Sequence, residues 1–467
     1  MPRPLVPLLV VLLLLGAAAR AAPAAAAPGQ VMTFEAPAEL LDESRRDAAL
    51  DEIAAFGVTR IRQQVYWRDF APSPTEPMRP SFDDTNADAY PGGTWDPLDH
   101  LVDAARSRNL EVELTLTGPV PQWATQTGTD QLTRPDPAIF ANWVTAVVRR
   151  YGDRVDLWSI WNEPNQPQFL LPQYDDRRRP VSPRIYRGLY VAAERALHAV
   201  PGNVRDRVLI GETSPIGDEA IVAPLRFLRG VLCLDGNYRK VGRCANLRIA
   251  GYAHHAYPTR RGPLAKPSSP DSVTIGALER LVRALDRAAR TGVVRPRLPI
   301  FLTEFGVESR PDLVSGVTLA RQAQELAIAE RMAFANPRVR AFSQYLLRDD
   351  PPVEGVPEAQ RFPGFETGLR FSDGRQKPSY AGFLLPLAVK QFGASDVLWG
   401  RVRPAPAVTA VTLERNRGRG WRAFRTQTTN PSGVYGLRVP HRARQRYRVR
   451  WTAPDGTVHT GPPIRPY

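Results

Sequence analysis

Residues 156–165 read DLWSIWNEPN, an apolar run that ends abruptly in an amide, a carboxylate and a proline. A strand buried on both faces needs apolar side chains in both directions, so residues 157–161 predict a strand inside a parallel sheet. Asn162 and Glu163 then lie at its carboxyl end. Ligands bind at the carboxyl ends of strands in α/β proteins, because the loops there vary while the strands stay fixed. The stretch therefore predicts both the fold class and a candidate site.

A second carboxylate follows an apolar strand in the same way. Residues 298–306 read LPIFLTEFG and place Glu304 at the end of the run. Cleavage of an acetal needs one group to protonate the leaving oxygen and another to stabilise or attack the anomeric carbon, and two carboxyls in different environments can do both. The pair Glu163 and Glu304 thus indicates cleavage of a glycosidic bond. The alternative is that either glutamate is only a salt-bridge partner.

Strands and helices alternate along most of the chain. The predicted strands are residues 31–34, 58–63, 111–117, 157–161, 208–211, 249–253, the run ending at 304, and 339–346. The predicted helices are residues 44–56, 96–108, 137–150, 183–200, 219–232, 275–291, 317–335 and 378–392. Eight strands, each followed by a helix, predict an α/β fold, the (β/α)8 TIM barrel. An open doubly wound sheet is the alternative, but a Gly-rich first turn is missing.

The sequence pattern changes from residue 397 onward. Short β-rich runs at 408–413, 421–426, 433–439 and 447–452 are separated by turn sequences. They predict a small C-terminal antiparallel β-sandwich domain. The predicted organisation is therefore a signal segment at 1–27, a catalytic barrel at 28–396 and a basic sandwich at 397–467.

The amino terminus has the pattern of a secretory signal. Arg3 precedes an apolar run at residues 5–15 and a small-residue stretch, and the run is too short to span a bilayer. We expect a secreted or cell-envelope protein without a transmembrane segment; the alternative is an uncleaved anchor. Because an exported chain with two cysteines most simply pairs them, Cys233 and Cys244 are predicted to form a disulfide.

The positive charge is concentrated at the carboxyl end. The formal net charge is +15, and fourteen arginines stand against Glu414 and Asp455 after residue 400. One interpretation of this excess is that the C-terminal domain binds an anionic partner such as an envelope polymer. Codon composition would explain the same excess, and the favoured interpretation of the domain is a spacer or stabiliser. Nucleic acid is not an expected partner, because no recognised DNA- or RNA-binding motif is present.

Two motifs resemble a known family. The stretches WNEPN at 161–165 and TEFG at 303–306 resemble the two catalytic strands of the clan A retaining glycoside hydrolases, near families 5 and 39. The resemblance extends over about residues 30–392. It implies that Glu163 is the general acid/base and Glu304 the nucleophile, with a covalent glycosyl-enzyme, a polysaccharide or oligosaccharide substrate and no cofactor.

The same resemblance implies roles for other residues. Asn162 would hydrogen-bond the 2-hydroxyl of the sugar. His255 and Tyr257 match the His-x-Tyr that follows strand six, where the tyrosine orients the nucleophile. Arg62 matches an arginine beside the nucleophile that helps to keep it ionised. Arg62 has a structural alternative, since the carboxylates of Glu35, Glu212 or Asp69 are possible partners.

Aromatic residues are further candidates for contact with a sugar. Trp67 and Trp123 follow strands two and three and would either stack on a sugar or belong to the core. The last strand departs from the family pattern, because Gln344 and Tyr345 stand where many members have a tryptophan. Tyr345 is taken as the substrate-binding candidate there. The loop at residues 166–180 is expected to border the cleft.

Two other functions were compatible with the sequence. His254 and His255 would suit a metal pair, but a metal-dependent amidohydrolase barrel needs more ligands at strand ends, so no metal is predicted. An inactive barrel that binds glycans in the cell envelope is the alternative to the hydrolase. The separation of the two glutamates distinguishes these functions.

Overall fold

The computed structural model of the protein describes residues 29–404 and 407–467. Eight parallel strands run in chain order around a closed barrel, and the eighth pairs with the first. The barrel strands are β1 Val31–Glu35, β2 Arg60–Tyr66, β3 Glu111–Thr117, β4 Leu157–Ile160, β5 Val208–Thr213, β6 Gly251–His255, β7 Ile300–Glu304 and β8 Val339–Tyr345. The predicted fold class is confirmed. The predicted signal segment lies outside the described residues.

The helices pack around the barrel through apolar faces. They are α1 Pro37–Leu40, α2 Arg46–Ala55, α3 Asp96–Ser107, α4 Pro137–Tyr151, α5 Ser182–Ala199, α6 Pro224–Val231, α7 Leu278–Arg290, α8 Leu319–Phe334 and α9 Pro378–Leu384. In α7, buried Leu278, Leu281 and Leu285 recur at helical spacing. Asp136 caps α4 by accepting hydrogen bonds from two backbone N–H groups, because the first turn of a helix has no internal acceptors.

The barrel interior is divided into an apolar and a polar part. Side chains from five consecutive strands, β4 to β8, form one buried apolar cluster: Leu157, Leu209, Ala253, Phe301 and Ala341. Alternate residues of a barrel strand point inward, so Arg62 of β2 faces the interior. It reaches side chains on β1, β3, β5 and β7 near the carboxyl ends of those strands. The candidate site is therefore built on the rigid rim of the barrel.

The last predicted helix is wrong over its second half. A helix was expected over residues 378–392, but α9 ends at Leu384 and a strand, β9 Leu387–Phe392, follows. Pro386 cannot continue a helix because it lacks an N–H and clashes with the preceding turn. The apolar residues after it instead pair with the next strand, β10 Ser395–Arg401.

Two antiparallel sheets form the predicted C-terminal sandwich. Their remaining strands are β11 Ala410–Asn416, β12 Arg422–Thr428, β13 Val434–Pro440, β14 Arg446–Thr452 and β15 Val458–Thr460. One sheet has the order β13–β10–β9 and the other β12–β11–β14–β15. Leu398, Leu413 and Tyr447 are among the buried residues between the sheets. Strand β9 begins ahead of the boundary expected at residue 397, and that boundary stays a prediction.

Two further observations concern the cysteines and the lengths of the helices. Cys233 and Cys244 form a disulfide that closes the loop between α6 and β6, with Cα atoms 6.3 Å apart. Within residues 29–404 and 407–467, every helix is too short or too polar to cross a bilayer.

Candidate active site

Glu163 and Glu304 come together at one end of the barrel. Glu163 lies just after β4 and Glu304 ends β7, so both lie at the carboxyl ends of their strands. A carboxylate oxygen of each and a ring nitrogen of His255 lie within 4.8 Å of one another. The side chains of the two glutamates are 12% and 8% exposed. The two carboxylates that were predicted from strand endings therefore face a common, partly open space.

The backbone around Glu163 is strained. Trp161 and Glu163 have φ values of +69° and +38°, a region that side-chain-bearing residues rarely occupy. Trp161 is held by its indole N–H, which donates to the carbonyl of Phe169 at 3.1 Å, and by close packing on Gly118. The Glu163 N–H donates to the carbonyl of Glu212 at 2.9 Å. These contacts keep the Glu163 side chain turned toward the barrel axis.

Arg62 is the fully buried centre of the polar interior. Its Nη1 atom donates to Glu35 at 2.6 Å and to Glu304 at 2.8 Å. Its Nη2 atom donates to Glu212 at 3.1 Å and to Asn162 at 3.2 Å. Arg62 thus binds its structural partners, Glu35 and Glu212, and its functional partner, Glu304, at the same time. Asp69 pairs with Arg68 instead.

His255 connects both candidate catalytic residues. Its Nδ1 atom lies 2.8 Å from Glu163 and 3.3 Å from Glu304, and its Nε2 atom lies 2.8 Å from Glu212. Burial would lower the pKa of this imidazole, but the surrounding carboxylates outweigh it and raise the pKa of His255 to about 10. Carboxylate contacts on both ring nitrogens thus favour the imidazolium, which can donate a hydrogen bond from each nitrogen.

Glu212 is the buried carboxylate partner of the His255 Nε2 atom. Burial would raise its pKa, but Arg62, His255 and the hydroxyl of Ser159 outweigh burial and lower the pKa of Glu212 to about 2. Its side chain is completely buried. Glu212 is thus a charged partner for both Arg62 and His255.

Further donors converge on Glu304. The Tyr257 hydroxyl donates to Oε2 at 3.1 Å, and burial raises the pKa of this hydroxyl, which keeps it protonated. Gln64 donates from Nε2 to Oε1 of Glu304 at 2.9 Å. Gln64 was not predicted, although it follows Arg62 by two positions on β2 and so points to the same side. Together with Arg62, these donors fix the orientation of the Glu304 carboxylate.

Glu163 has different surroundings. Burial raises its pKa, so this carboxyl holds a proton more readily than a free one. Gln166 donates its side-chain amide to Oε2 of Glu163. Gln166 belongs to the loop that was expected only to border the cleft. The two glutamates thus have unlike environments, as an acid and a nucleophile require.

Asn162 and Tyr345 lie beside the glutamates. Arg62 occupies the Asn162 amide oxygen, and no hydrogen bond among the described residues uses the amide nitrogen of Asn162. Tyr345 ends β8 and is partly exposed. Burial and then the charge of Glu304 raise its pKa, so its hydroxyl is protonated. Both residues therefore carry a hydrogen-bond donor near the two glutamates.

The two candidate tryptophans lie in the core. Trp67 is fully buried and stacks on Trp143 with ring centroids 5.5 Å apart. Trp123 is 5% exposed, meets the edge of Trp67 at 5.7 Å and donates its indole N–H to a backbone carbonyl. Neither ring has a free face for a sugar, so the expected stacking role is corrected in favour of the core alternative.

His254 and His255, which were considered as an alternative metal pair, have different surroundings. The two ring nitrogens of His254 bond the Thr213 hydroxyl and the Val273 carbonyl. His255 lies with two glutamates at a spacing that would fit an ion. In the described structure both ring nitrogens of His255 contact carboxylate oxygens, of Glu163 and Glu212.

The fold and this arrangement of strand-end carboxylates define the structural class, the (β/α)8 barrels with an acidic site at the carboxyl ends of strands four and seven. A family 39 glycoside hydrolase from the gut symbiont Bacteroides cellulosilyticus WH2 has a similar structure, with 16% identity, coverage of 90% of this chain and 81% of that chain, and a TM-score of 0.51. This likeness confirms the predicted resemblance for the fold.

Two other solved structures also show similarity to this chain. A GH5_18 protein from Streptomyces cattleya in complex with GlcNAc is 18% identical and covers 76% of this chain and 79% of that chain, with a TM-score of 0.49. The hyperthermophilic β-glucosidase from Pyrococcus furiosus is 14% identical and covers 76% and 94%, with a TM-score of 0.48. No family model and no curated protein matches the sequence.

Proposed function

We propose that the protein is a retaining O-glycoside hydrolase, a β-glycosidase or endoglycanase that acts on a polysaccharide or oligosaccharide without a cofactor. The separation of Glu163 and Glu304 carries this proposal. The carboxyl groups of retaining enzymes are about 5 to 5.5 Å apart, whereas inverting enzymes leave roughly 6.5 to 9.5 Å for a water molecule. Carboxylate oxygens within 4.8 Å of one another fit direct attack by one of them.

The environments of the glutamates suit a double displacement. Glu163, whose pKa is raised by burial, donates its proton to the leaving oxygen while the Glu304 carboxylate attacks the anomeric carbon. A covalent glycosyl-enzyme forms and the leaving group departs as an alcohol. Glu163 then takes a proton from water, which attacks the same carbon and releases Glu304. Two displacements at one carbon retain the configuration.

His255 suits both steps of this reaction. When the glycosyl-enzyme forms, the negative charge leaves Glu304 and appears on Glu163. The Nδ1 atom of His255 faces both carboxylates, at 2.8 Å and 3.3 Å. A single imidazolium therefore stays beside the negative charge throughout the cycle without moving. Fixed donors of this kind are already oriented before the reaction and need no rearrangement during it.

Substrate contacts are assigned to the donors around the glutamates. Arg62 holds the amide oxygen of Asn162, so the amide nitrogen is directed to a sugar hydroxyl. Tyr345 is the partly exposed aromatic residue at the end of β8. We propose Asn162 and Tyr345 as substrate-binding residues. His255, Tyr257 and Arg62 act by positioning and charge-stabilising the two glutamates.

Export and attachment complete the proposal. The N-terminal segment directs the chain out of the cytoplasm. The Cys233–Cys244 disulfide would persist in the oxidising environment outside it. The C-terminal domain has a cavity of about 650 Å³ whose lining includes five arginines: Arg417, Arg442, Arg444, Arg446 and Arg465. None of the five forms an ion pair within the described part of the chain. Such a concave cationic surface suits an anionic polymer of the cell envelope.

The alternative is a barrel that binds glycans without cleaving them. Hydrolysis of aryl β-glycosides separates the two functions. Glu163→Gln and Glu304→Ala should each abolish turnover, while Glu219→Gln, an exposed matched control, should keep it. Azide should restore activity to Glu304→Gly and give a product of inverted configuration, because azide attacks once from the vacated side. Near-wild-type rates in both active-site variants would reject the hydrolase, and a panel of polysaccharides would identify the sugar.

A further inference from the structure

A second group of carboxylates lies on the loops beyond the barrel strands. Residues 305–318, between β7 and α8, carry Glu308 and Asp312. Residues 346–377, between β8 and α9, carry Glu366. One carboxylate oxygen from each of the three lies within 4.8 Å of the other two. The proposed hydrolysis uses none of these residues, so they require a separate explanation.

The cluster is buried and contains an unpartnered oxygen. Glu366 and Asp312 are 1% and 6% exposed. Asp312 accepts hydrogen bonds from two backbone N–H groups of its own loop, but Oε2 of Glu366 has no partner in the described structure. Burial of a carboxylate oxygen without a hydrogen bond or a counter-ion is costly. Glu366 thus contributes to the cluster a buried carboxylate oxygen that accepts no hydrogen bond from the described residues.

The neighbouring cation does not neutralise the cluster. The Nζ atom of buried Lys377 donates to Oδ1 of Asp349 at 2.6 Å and to the backbone carbonyl of Glu366 at 3.1 Å. Lys377 therefore balances Asp349 rather than the three clustered carboxylates.

We infer that Glu308, Asp312 and Glu366 form a binding site for a divalent cation, with calcium as the preferred ion. Calcium takes carboxylate and carbonyl oxygens at about 2.3 to 2.6 Å, so oxygens on opposite sides of it are about 5 Å apart. Three carboxylate oxygens that lie within 4.8 Å of one another can be ligands of a single such ion. Magnesium needs shorter bonds of about 2.0 to 2.1 Å in a strict octahedron, and zinc prefers nitrogen or sulfur ligands.

The proposed ion joins two loops that are already in contact. The Glu366 N–H donates to Oε2 of Glu308 at 2.9 Å, and the Ser309 N–H donates to the Glu366 carbonyl at 3.1 Å. A cation bound to side chains from both loops would lock them together. These loops begin directly after Glu304 and Tyr345. The ion would thus be structural, and the inference does not rest on the proposed hydrolase.

Calcium binding to the full-length protein tests this inference. The protein is stripped with EDTA, shown to be metal-free by mass spectrometry, and titrated with CaCl₂ in a calorimeter. We expect a single Ca²⁺ per chain and a rise in the melting temperature, because an ion that binds only the folded state stabilises it. Glu366→Gln and Asp312→Asn should each weaken binding by roughly tenfold or more, since each removes a charged ligand.

Glu358→Gln is the matched control, because Glu358 is exposed on the same loop as Glu366. It should bind calcium as the wild-type protein does. The inference is overturned if metal-free wild-type protein binds no calcium, or if Glu366→Gln and Asp312→Asn bind it as tightly as the control. If Glu366→Gln does not fold, the wild-type titration and Asp312→Asn still decide the question.

Discussion

The Nη1 atom of Arg62 lies 2.8 Å from Oε1 of Glu304, although the two residues are 242 positions apart in the chain. Closure of the barrel brings them together, because β2 and β7 both point side chains into its interior. The same guanidinium binds Glu35 and Glu212, so one buried cation is shared by three carboxylates. Arg62 therefore serves stability and the candidate site together.

Replacement of Arg62 should destabilise the fold strongly. Arg62→Met leaves several buried carboxylates without their counter-ion, and removal of one partner of a buried pair typically costs about 3 to 5 kcal/mol. The free energy of unfolding in urea measures this cost. Arg106→Met is the matched control, because the Arg106–Asp156 pair is largely exposed and should contribute about 0 to 1 kcal/mol. Equal losses in the two variants would contradict the central role of Arg62.

Loss of the Tyr257 hydroxyl should reduce activity without unfolding the protein. Tyr257→Phe removes the 3.1 Å hydrogen bond to Glu304 and leaves the aromatic packing unchanged. A hydrogen bond to a charged group contributes about 1.5 to 3 kcal/mol, so kcat/KM on an aryl glycoside should fall by roughly tenfold to a hundredfold. Tyr252→Phe is the control, since its hydroxyl contacts Thr213 instead. An unchanged kcat/KM for Tyr257→Phe would exclude a positioning role.

The barrel and both glutamates could be predicted because the signals for them lie in short, continuous stretches of sequence. Strands β4 and β7 are mainly apolar runs, and a glutamate follows or ends each of them, so the position of the carboxylate follows from the strand itself. The contacts of Gln64 and Gln166 could not be found in this way. Each is an ordinary polar residue whose partner is distant in sequence or set by loop geometry.

Tertiary contacts also decide which aromatic side chains are buried and whether an ambiguous segment forms a helix or a strand. Trp67 could have been a sugar platform, and only its stacking on Trp143 of α4 places it in the core. The run at residues 387–392 suits either a short helix or a strand by periodicity alone. Pairing with β10 decides for the strand, and that pairing is visible only once the chain has folded.

The arginine-lined cavity should bind anionic polymers in a salt-dependent manner. Full-length protein should be retained by immobilised dextran sulfate at low ionic strength and released as salt screens the charges. Arg444→Glu combined with Arg446→Glu should elute at lower salt than Arg422→Glu combined with Arg425→Glu, because β12 lies outside the cavity lining. The same elution for both double variants would show that overall charge, rather than the cavity, causes retention.

The stability of the protein should decrease as the pH rises, because His255 loses its proton. The pKa of His255 is about 10 in the folded protein against an ordinary value of 6.5, so the folded state holds this proton more tightly than the unfolded state. The resulting stabilisation is complete below pH 6.5, falls between pH 6.5 and 10, and is lost above pH 10. His255→Gln removes this contribution.

The difference in unfolding free energy between wild type and His255→Gln should therefore shrink as pH rises through that window. Urea unfolding at several pH values measures the difference, and subtraction cancels the groups that titrate in both proteins. His100→Gln, on the exposed side of α3, is the matched control. A difference that stays constant or grows between pH 6.5 and 10 would show that the carboxylates do not hold His255 as a cation. The proposal that a His255 imidazolium stabilises the negative charge of the two glutamates would then be wrong.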